Sequence, residues 1–212
     1  MVRLISAAAV LFALSCAGGP AFRPMPSGKT NTFIQKLEAH SRTISSISCR
    51  FTQYKKMAVL EGTAVSHGLF YFKSPSSVRW EYTRPLQTVL VLRGDTAHIK
   101  EGDTVSVYDM GGNAALRETG RWITGIVDGS AVGNSRIFLT SFFESPAQYL
   151  VMLAPRERKV EKYLDVIKLY LEKSDLSAAR IIIIERNGDE TEYRFTEKCF
   201  NEEIPDALFV LE

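Results

Sequence analysis

The stretch Gly68-Leu-Phe-Tyr-Phe-Lys-Ser-Pro-Ser-Ser-Val-Arg-Trp-Glu-Tyr-Thr-Arg-Pro85 decides the fold class. Leu69 to Lys73 and Val78 to Tyr82 are rich in aromatic and β-branched residues, as strands are, and Ser74-Pro75-Ser76 between them has turn chemistry. Alternation puts Leu69, Tyr71 and Lys73 on one face of the first strand and Phe70 and Phe72 on the other. In the second strand Val78, Trp80 and Tyr82 share an apolar face opposed by Arg79 and Glu81. The pair reads as an antiparallel hairpin with one side against a core.

The same pattern extends outward along the chain. Further strands are expected over Ser48 to Met57, Ala64 to Lys73, Thr88 to Arg93, Thr96 to Lys100, Thr104 to Asp109, Tyr149 to Ala154, Leu164 to Lys173, Ala178 to Arg186 and Thr191 to Thr196, with a last one near Phe209. Asn187-Gly188 predicts a tight primed turn, because both residues tolerate positive φ; Gly94-Asp95 and Gly102-Asp103 mark two more reversals. Strands joined by turns rather than helices are antiparallel. Two segments carry helical spacing. Phe33, Leu37, Ile44 and Ile47 predict a helix from Thr30 to about Ser45, with Thr30 or Asn31 as N-cap. Val132, Ile137, Phe138, Leu139, Phe142 and Phe143 predict a second over Ser130 to Phe143, either a core helix or a mobile lid. The expected architecture is mainly β, one antiparallel meander that is curled or closed, with two helices.

The N-terminus has a different character. Arg3 precedes the apolar run Leu4 to Leu14 and the small residues Ser15 to Gly19, the layout of a secretory signal and too short to span a bilayer. Residues 1–22 are therefore read as a signal peptide or lipoprotein signal, residues 23–29, with Pro24 and Pro26, as a flexible leader, and residues 30–212 as one globular domain. Two processing routes fit. Cleavage before Gly18 would release a soluble chain, whereas Ala13-Leu14-Ser15-Cys16 resembles a loose lipobox that would leave Cys16 acylated and the protein anchored. Cys49 and Cys199 could pair in an oxidising compartment or stay as separate thiols.

Composition narrows the function. The chain is 45% hydrophobic, enough for a core without metal or disulfide, and its 26 basic and 24 acidic residues are mixed along the sequence. No basic stripe suggests a nucleic-acid partner. His40, His67 and His98 are scattered without ligand spacing, so no metal is expected, and no cofactor motif is present. No nucleophile elbow, phosphate loop or Cys-His arrangement nominates an enzyme, and Asp95, Asp103 and Asp109 fit turn capping. A non-catalytic, monomeric binding protein is the expectation.

The order Phe51-x-Gln53, a glycine-led strand, Pro75, Arg79-Trp80-Glu81-Tyr82, Pro85 and a strand reaching Gly94-Asp95 resembles the N-terminal signature of the LolA family of lipoprotein carriers. Ile181 to Phe195, Asn201 and Phe209 are similar to that family's closing hairpin and last strand. The resemblance implies an incomplete, strongly curved antiparallel β-barrel, a half-barrel whose open concave side is covered by helices. It also implies a periplasmic carrier that takes lipoprotein acyl chains from an inner-membrane exporter to an outer-membrane receptor. On that reading Phe51, Leu69, Tyr71, Val78, Trp80, Tyr82, Val89 and Val91 line an apolar cavity, and Ile137, Phe138, Phe142 and Phe143 belong to a lid. On residue type alone Trp80 reads as a plain core tryptophan. The family's Arg before the turn proline, which latches the lid, is replaced here by Ser74. A Cys16-anchored lipid acceptor, or an envelope sensor that binds a protein segment in the same groove, are the alternatives.

Overall fold

Period-two alternation carries every described strand of the chain into a single sheet. The computed structural model describes residues 21–110, 132 and 138–211. Its strands are β1 (Arg23–Pro24), β2 (Ser46–Lys56), β3 (Ala64–Lys73), β4 (Ser77–Arg84), β5 (Thr88–Arg93), β6 (Thr96–Glu101), β7 (Thr104–Asp109), β8 (Phe138–Glu144), β9 (Gln148–Pro155), β10 (Leu164–Glu172), β11 (Ala178–Glu185) and β12 (Glu190–Phe200). They form one 12-stranded antiparallel sheet in the order β1-β8-β9-β10-β11-β12-β2-β3-β4-β5-β6-β7, with β1 and β7 at its two ends, so it does not close. The expected fold is present in this open form.

The sheet is strongly curled. β4 and β10 stand five strand spacings apart, which would be roughly 24 Å across a flat sheet. Trp80 of β4 and Leu169 of β10 nevertheless line one groove. Two apolar clusters fill the concave side, one over β8–β11 and one over β2–β6, and Tyr193 and Phe195 of β12 belong to both.

Helix α1 (Ser27–Ser41) lies on this concave face. Phe33 and Leu37, one turn apart, are its buried residues, and the Phe33 ring meets Phe142 at 5.9 Å and Tyr149 at 4.4 Å between centroids. Four-residue α2 (Arg158–Glu161) is the other α-helix with described bounds.

Four sequence expectations are corrected. Residues 23–29 are not a free leader: β1 pairs with β8, and the Met25 amide donates to the Phe142 carbonyl at 2.9 Å. Helix α1 starts at Ser27 because Pro26, extended at ψ 147°, takes the N-cap place expected of Thr30 or Asn31. Phe138, Phe142 and Phe143 are in strand β8, not in a helical lid. Phe138 and Phe142 are four residues apart, a spacing that shares a face in a helix and, being even, also in a strand; exposed Leu139 between them reveals the period of two. Ile137 and the rest of the predicted helix, apart from buried Val132, lie outside the described residues.

The last correction is at the C-terminus, where Asp206–Phe209 forms a 3-10 helix rather than a strand. It caps the convex face of β4 and β5. Ile204 and Phe209 pack with Val91, Lys73 Nζ donates to the Ile204 carbonyl at 2.8 Å and pairs with Asp206 at 2.6 Å, and Arg79 Nη1 donates to the Leu208 carbonyl at 3.0 Å. Arg79→Met removes a half-buried charged donor and orphans that carbonyl. The expected loss is about 1–3 kcal/mol by chemical denaturation, with faster amide exchange in residues 204–210. Unchanged exchange there would show that Arg79 does not hold the segment.

Candidate functional site

The β3–β4 hairpin forms one wall of the site. Residues paired directly across an antiparallel ladder share a face. Trp80 faces Phe70 on β3 and Leu90 on β5, and Val78 faces Phe72 and Leu92. These side chains point to the concave side together with Phe51, Tyr193 and Phe195. Trp80 sits at the centre of an aromatic group, 5.2 Å from Phe51, Phe70 and Tyr193 and 6.4 Å from Phe195 between ring centroids.

Gly68 makes room for this group. Phe51 stands opposite Gly68 in the ladder, and its ring lies over the glycine where a Cβ would collide with it and with the Glu81 carbonyl oxygen. The ring therefore reaches Trp80 and Tyr82, the latter at 5.2 Å edge-on.

Between this wall, β10–β12 and α1 runs an apolar groove with a cavity of about 120 Å³. Leu37, Ile44, Ile47, Cys49, Phe70, Trp80, Leu169, Leu171, Leu176, Ile181, Ile183, Tyr193, Phe195 and Phe200 line it, with His40, Ser41, Ser177 and Lys198 as its polar members. At the tyrosine end the Tyr82 and Tyr193 hydroxyls meet at 3.2 Å, and Gln53 Nε2 donates to Tyr193 at 3.0 Å. Burial raises the pKa of both phenols, so they stay neutral. Trp80 Nε1 is buried near Tyr82 but has no partner in hydrogen-bond geometry among the described residues.

Of the eight wall residues expected from the sequence, only Trp80 lines the groove itself. Phe51 and Val78 lie fully buried beneath it, and Tyr82 joins Phe51 at its end. Leu69, Tyr71, Val89 and Val91 are on the opposite face, because they pair with Glu81 and Arg79 rather than with Trp80. Tyr71, Val89 and Val91 pack under the C-terminal segment instead. Both faces of β3 and β5 carry apolar side chains, so alternation within those strands alone could not say which face is concave. The β10–β12 half of the groove was missed, although Ile181 and Ile183 in the IIIIER run already share a face at period two.

Ser74 donates its backbone amide to the Ser45 carbonyl at 2.8 Å. Cys49 and Cys199 are free thiols on neighbouring strands. Cys49 lines the groove, whereas Cys199 stands opposite Ser48 on the other face, so their Cβ vectors diverge. Burial pushes the Cys49 thiol up to about 12. Iodoacetamide at pH 8 should therefore alkylate Cys199 at least about tenfold faster than Cys49 in the folded protein, read by peptide mass mapping. Equal rates would contradict the buried placement. Cys16 lies outside the described residues. Among the described residues no helix is long and apolar enough to cross a membrane, and no group of His, Cys, Asp or Glu could hold a metal ion.

Comparison with known proteins bears on this groove. No curated protein matches the chain. Among solved structures, an uncharacterized conserved protein from Thermus thermophilus shares 8% identity at a TM-score of 0.52, over 86% of this chain and 94% of its own. The Mycobacterium tuberculosis lipoprotein LppX shares 12% identity at a TM-score of 0.48, over 85% and 99%. The Pseudomonas aeruginosa MucA/MucB complex aligns at 11% identity and a TM-score of 0.47, over 87% of this chain and 61% of that one. The sequence profile of the family described as "Outer membrane lipoprotein carrier protein LolA" matches residues 42–212, the span from the end of α1 through the C-terminal segment. An open curled antiparallel sheet with an apolar groove under one helix, joined to a profile match over most of its length, places this chain in the LolA family.

Proposed function

We propose that this protein is a non-enzymatic carrier of the bacterial envelope that holds lipoprotein acyl chains in the groove between α1 and the concave sheet. The observation that carries the reading is the groove itself: almost wholly apolar, walled by aromatic and aliphatic side chains of the concave strands, and covered by one helix. Family membership supports an envelope location and a lipid or lipoprotein ligand. The finer role, transfer through the periplasm from an inner-membrane exporter to an outer-membrane receptor, is part of the same proposal.

The geometry suggests how such a carrier releases its cargo. Each buried methylene contributes roughly 0.8 kcal/mol, so a long chain in a fully open, preformed channel would scarcely leave. Here the cavity of about 120 Å³ is smaller than ordinary ligand pockets, which begin near roughly 300 Å³. An acyl chain must displace Leu37 and its neighbours on α1, and the lost helix contacts offset part of the binding energy. The helix suits this role: it has no side-chain N-cap, and it buries only Phe33 and Leu37. The lid function assigned in sequence to residues 130–143 passes in this account to α1.

Native mass spectrometry of the chain secreted with its own leader into a bacterial envelope tests the proposal. A noncovalent acyl-bearing ligand is the expected result, and ligand-free protein would overturn it. Denatured mass of the same sample separates a shuttle starting at Gly18 from an anchored acceptor acylated on Cys16.

A further inference from the structure

The polar members of the groove are not spread along it but gathered at its α1 end. Strand β12 reaches that end through a bulge between Thr196 and Cys199, with Glu197 in the left-handed region at φ 51°. Without the extra residue, Phe195 and Glu197 would share the concave face and Lys198 would point away. The bulge instead turns Lys198 into the groove beside Phe195 and Phe200. Re-aiming a cation into an otherwise apolar channel is a costly arrangement for packing alone.

The hydrogen bonds of Lys198 leave it with unused capacity. Its Nζ donates to Ser177 Oγ at 2.5 Å and weakly to the Ala178 carbonyl at 3.4 Å. An ammonium has three donors, so one remains. The nearby carboxylate, Asp175, accepts from the Ser177 backbone amide and hydroxyl through Oδ1 at 2.9 and 2.6 Å, so Lys198 reaches Asp175 through Ser177 and by charge rather than by a direct bond. Lys198 makes no direct ion pair among the described residues. His40, on the last turn of α1, adds a second potential donor at the same mouth.

Resting on the acyl-chain reading of the groove, we propose that its preferred ligand is an anionic amphiphile, an acyl chain ending in a carboxylate that sits against Lys198 at the α1 end while the chain runs toward Trp80. The ester carbonyl of a neutral lipid lacks the charge that Lys198 is placed to meet.

Equilibrium dialysis of the delipidated full-length protein with laurate and with dodecanol, equal in chain length and different in head charge, tests this. The wild type should bind laurate about tenfold tighter, Lys198→Met should bring the laurate-to-dodecanol affinity ratio close to one, and Lys198→Arg should keep most of the preference. Equal affinity of the wild type for both, or a laurate preference that survives Lys198→Met, overturns the anion site while leaving the acyl groove in place. Binding of neither ligand overturns the groove reading and this inference with it. The melting temperature of Lys198→Met distinguishes a lost ligand contact, which leaves it unchanged without ligand, from a merely structural role at the bulge, which lowers it and overturns the proposal.

Discussion

Gly68→Ala is expected to destabilise the protein by about 3 kcal/mol, a large effect for a single methyl group. The reason is not backbone freedom. Gly68 is buried in β3 opposite Phe51, and an added Cβ meets the Phe51 ring and the Glu81 carbonyl at once. Neither can yield easily. Phe51 is packed against Trp80, Tyr82 and Tyr193, and the carbonyl belongs to the β3–β4 ladder, where a register shift already lies beside Gly68. Denaturant unfolding measures the loss. Combining Gly68→Ala with Phe51→Leu should recover only part of it, since the smaller side chain relieves the ring contact but not the backbone one. A cost below about 0.5 kcal/mol for Gly68→Ala alone would show that Phe51 does not lie over Gly68.

Trp80→Glu is expected to weaken acyl-ligand binding by about a hundredfold or more. Trp80 is the one side chain of the hairpin's second strand that reaches the groove, where it lies at the centre of the aromatic group and shares the lining with Leu169 and Ile181 of β10 and β11. A carboxylate there must remain hydrated, which admits water to the surface that holds the chain. Trp80→Phe, which keeps the apolar wall but removes the unpaired indole N–H, should bind within about threefold of the wild type. Retained far-ultraviolet circular dichroism separates a damaged site from an unfolded chain. A folded Trp80→Glu protein with unchanged affinity would move the ligand away from this wall.

The strands themselves were legible from the sequence because turns and periodicity agreed. Asn187-Gly188 predicted the β11–β12 reversal but not its turn type: Gly188 adopts φ 89° while Asn187 stays out of the left-handed region, so the turn is not primed, and the Glu185 amide donates to the Asp189 carbonyl at 2.9 Å. Gly94 and Gly102, at φ 56° and 57°, likewise close the β5–β6 and β6–β7 turns. What could not be read was which face of the sheet is concave and what covers the other one. Leu69, Tyr71, Val89 and Val91 look like cavity residues because they are apolar, but the last three pack against the C-terminal segment from Ile204 to Leu211. That contact joins β5 to residues far along the chain, and no local pattern encodes it. The assignment of Phe138, Phe142 and Phe143 to a helix failed for a different reason. Their spacing satisfies both periods, and pairing with β9 on one side and β1 on the other selects the strand. Lys198 was equally hidden, since only the bulge at Glu197 brings it to the apolar side.

The central claim is that an acyl chain occupies the groove between α1 and the concave wall. The most direct test is photocrosslinking of the purified protein with a diazirine-bearing fatty acid, followed by peptide mapping. The account predicts label on peptides carrying Leu37, Trp80, Leu176 and Phe195, diminished in Trp80→Glu. Label concentrated instead on the convex face, around Tyr71, Val89 and Leu208, would contradict it.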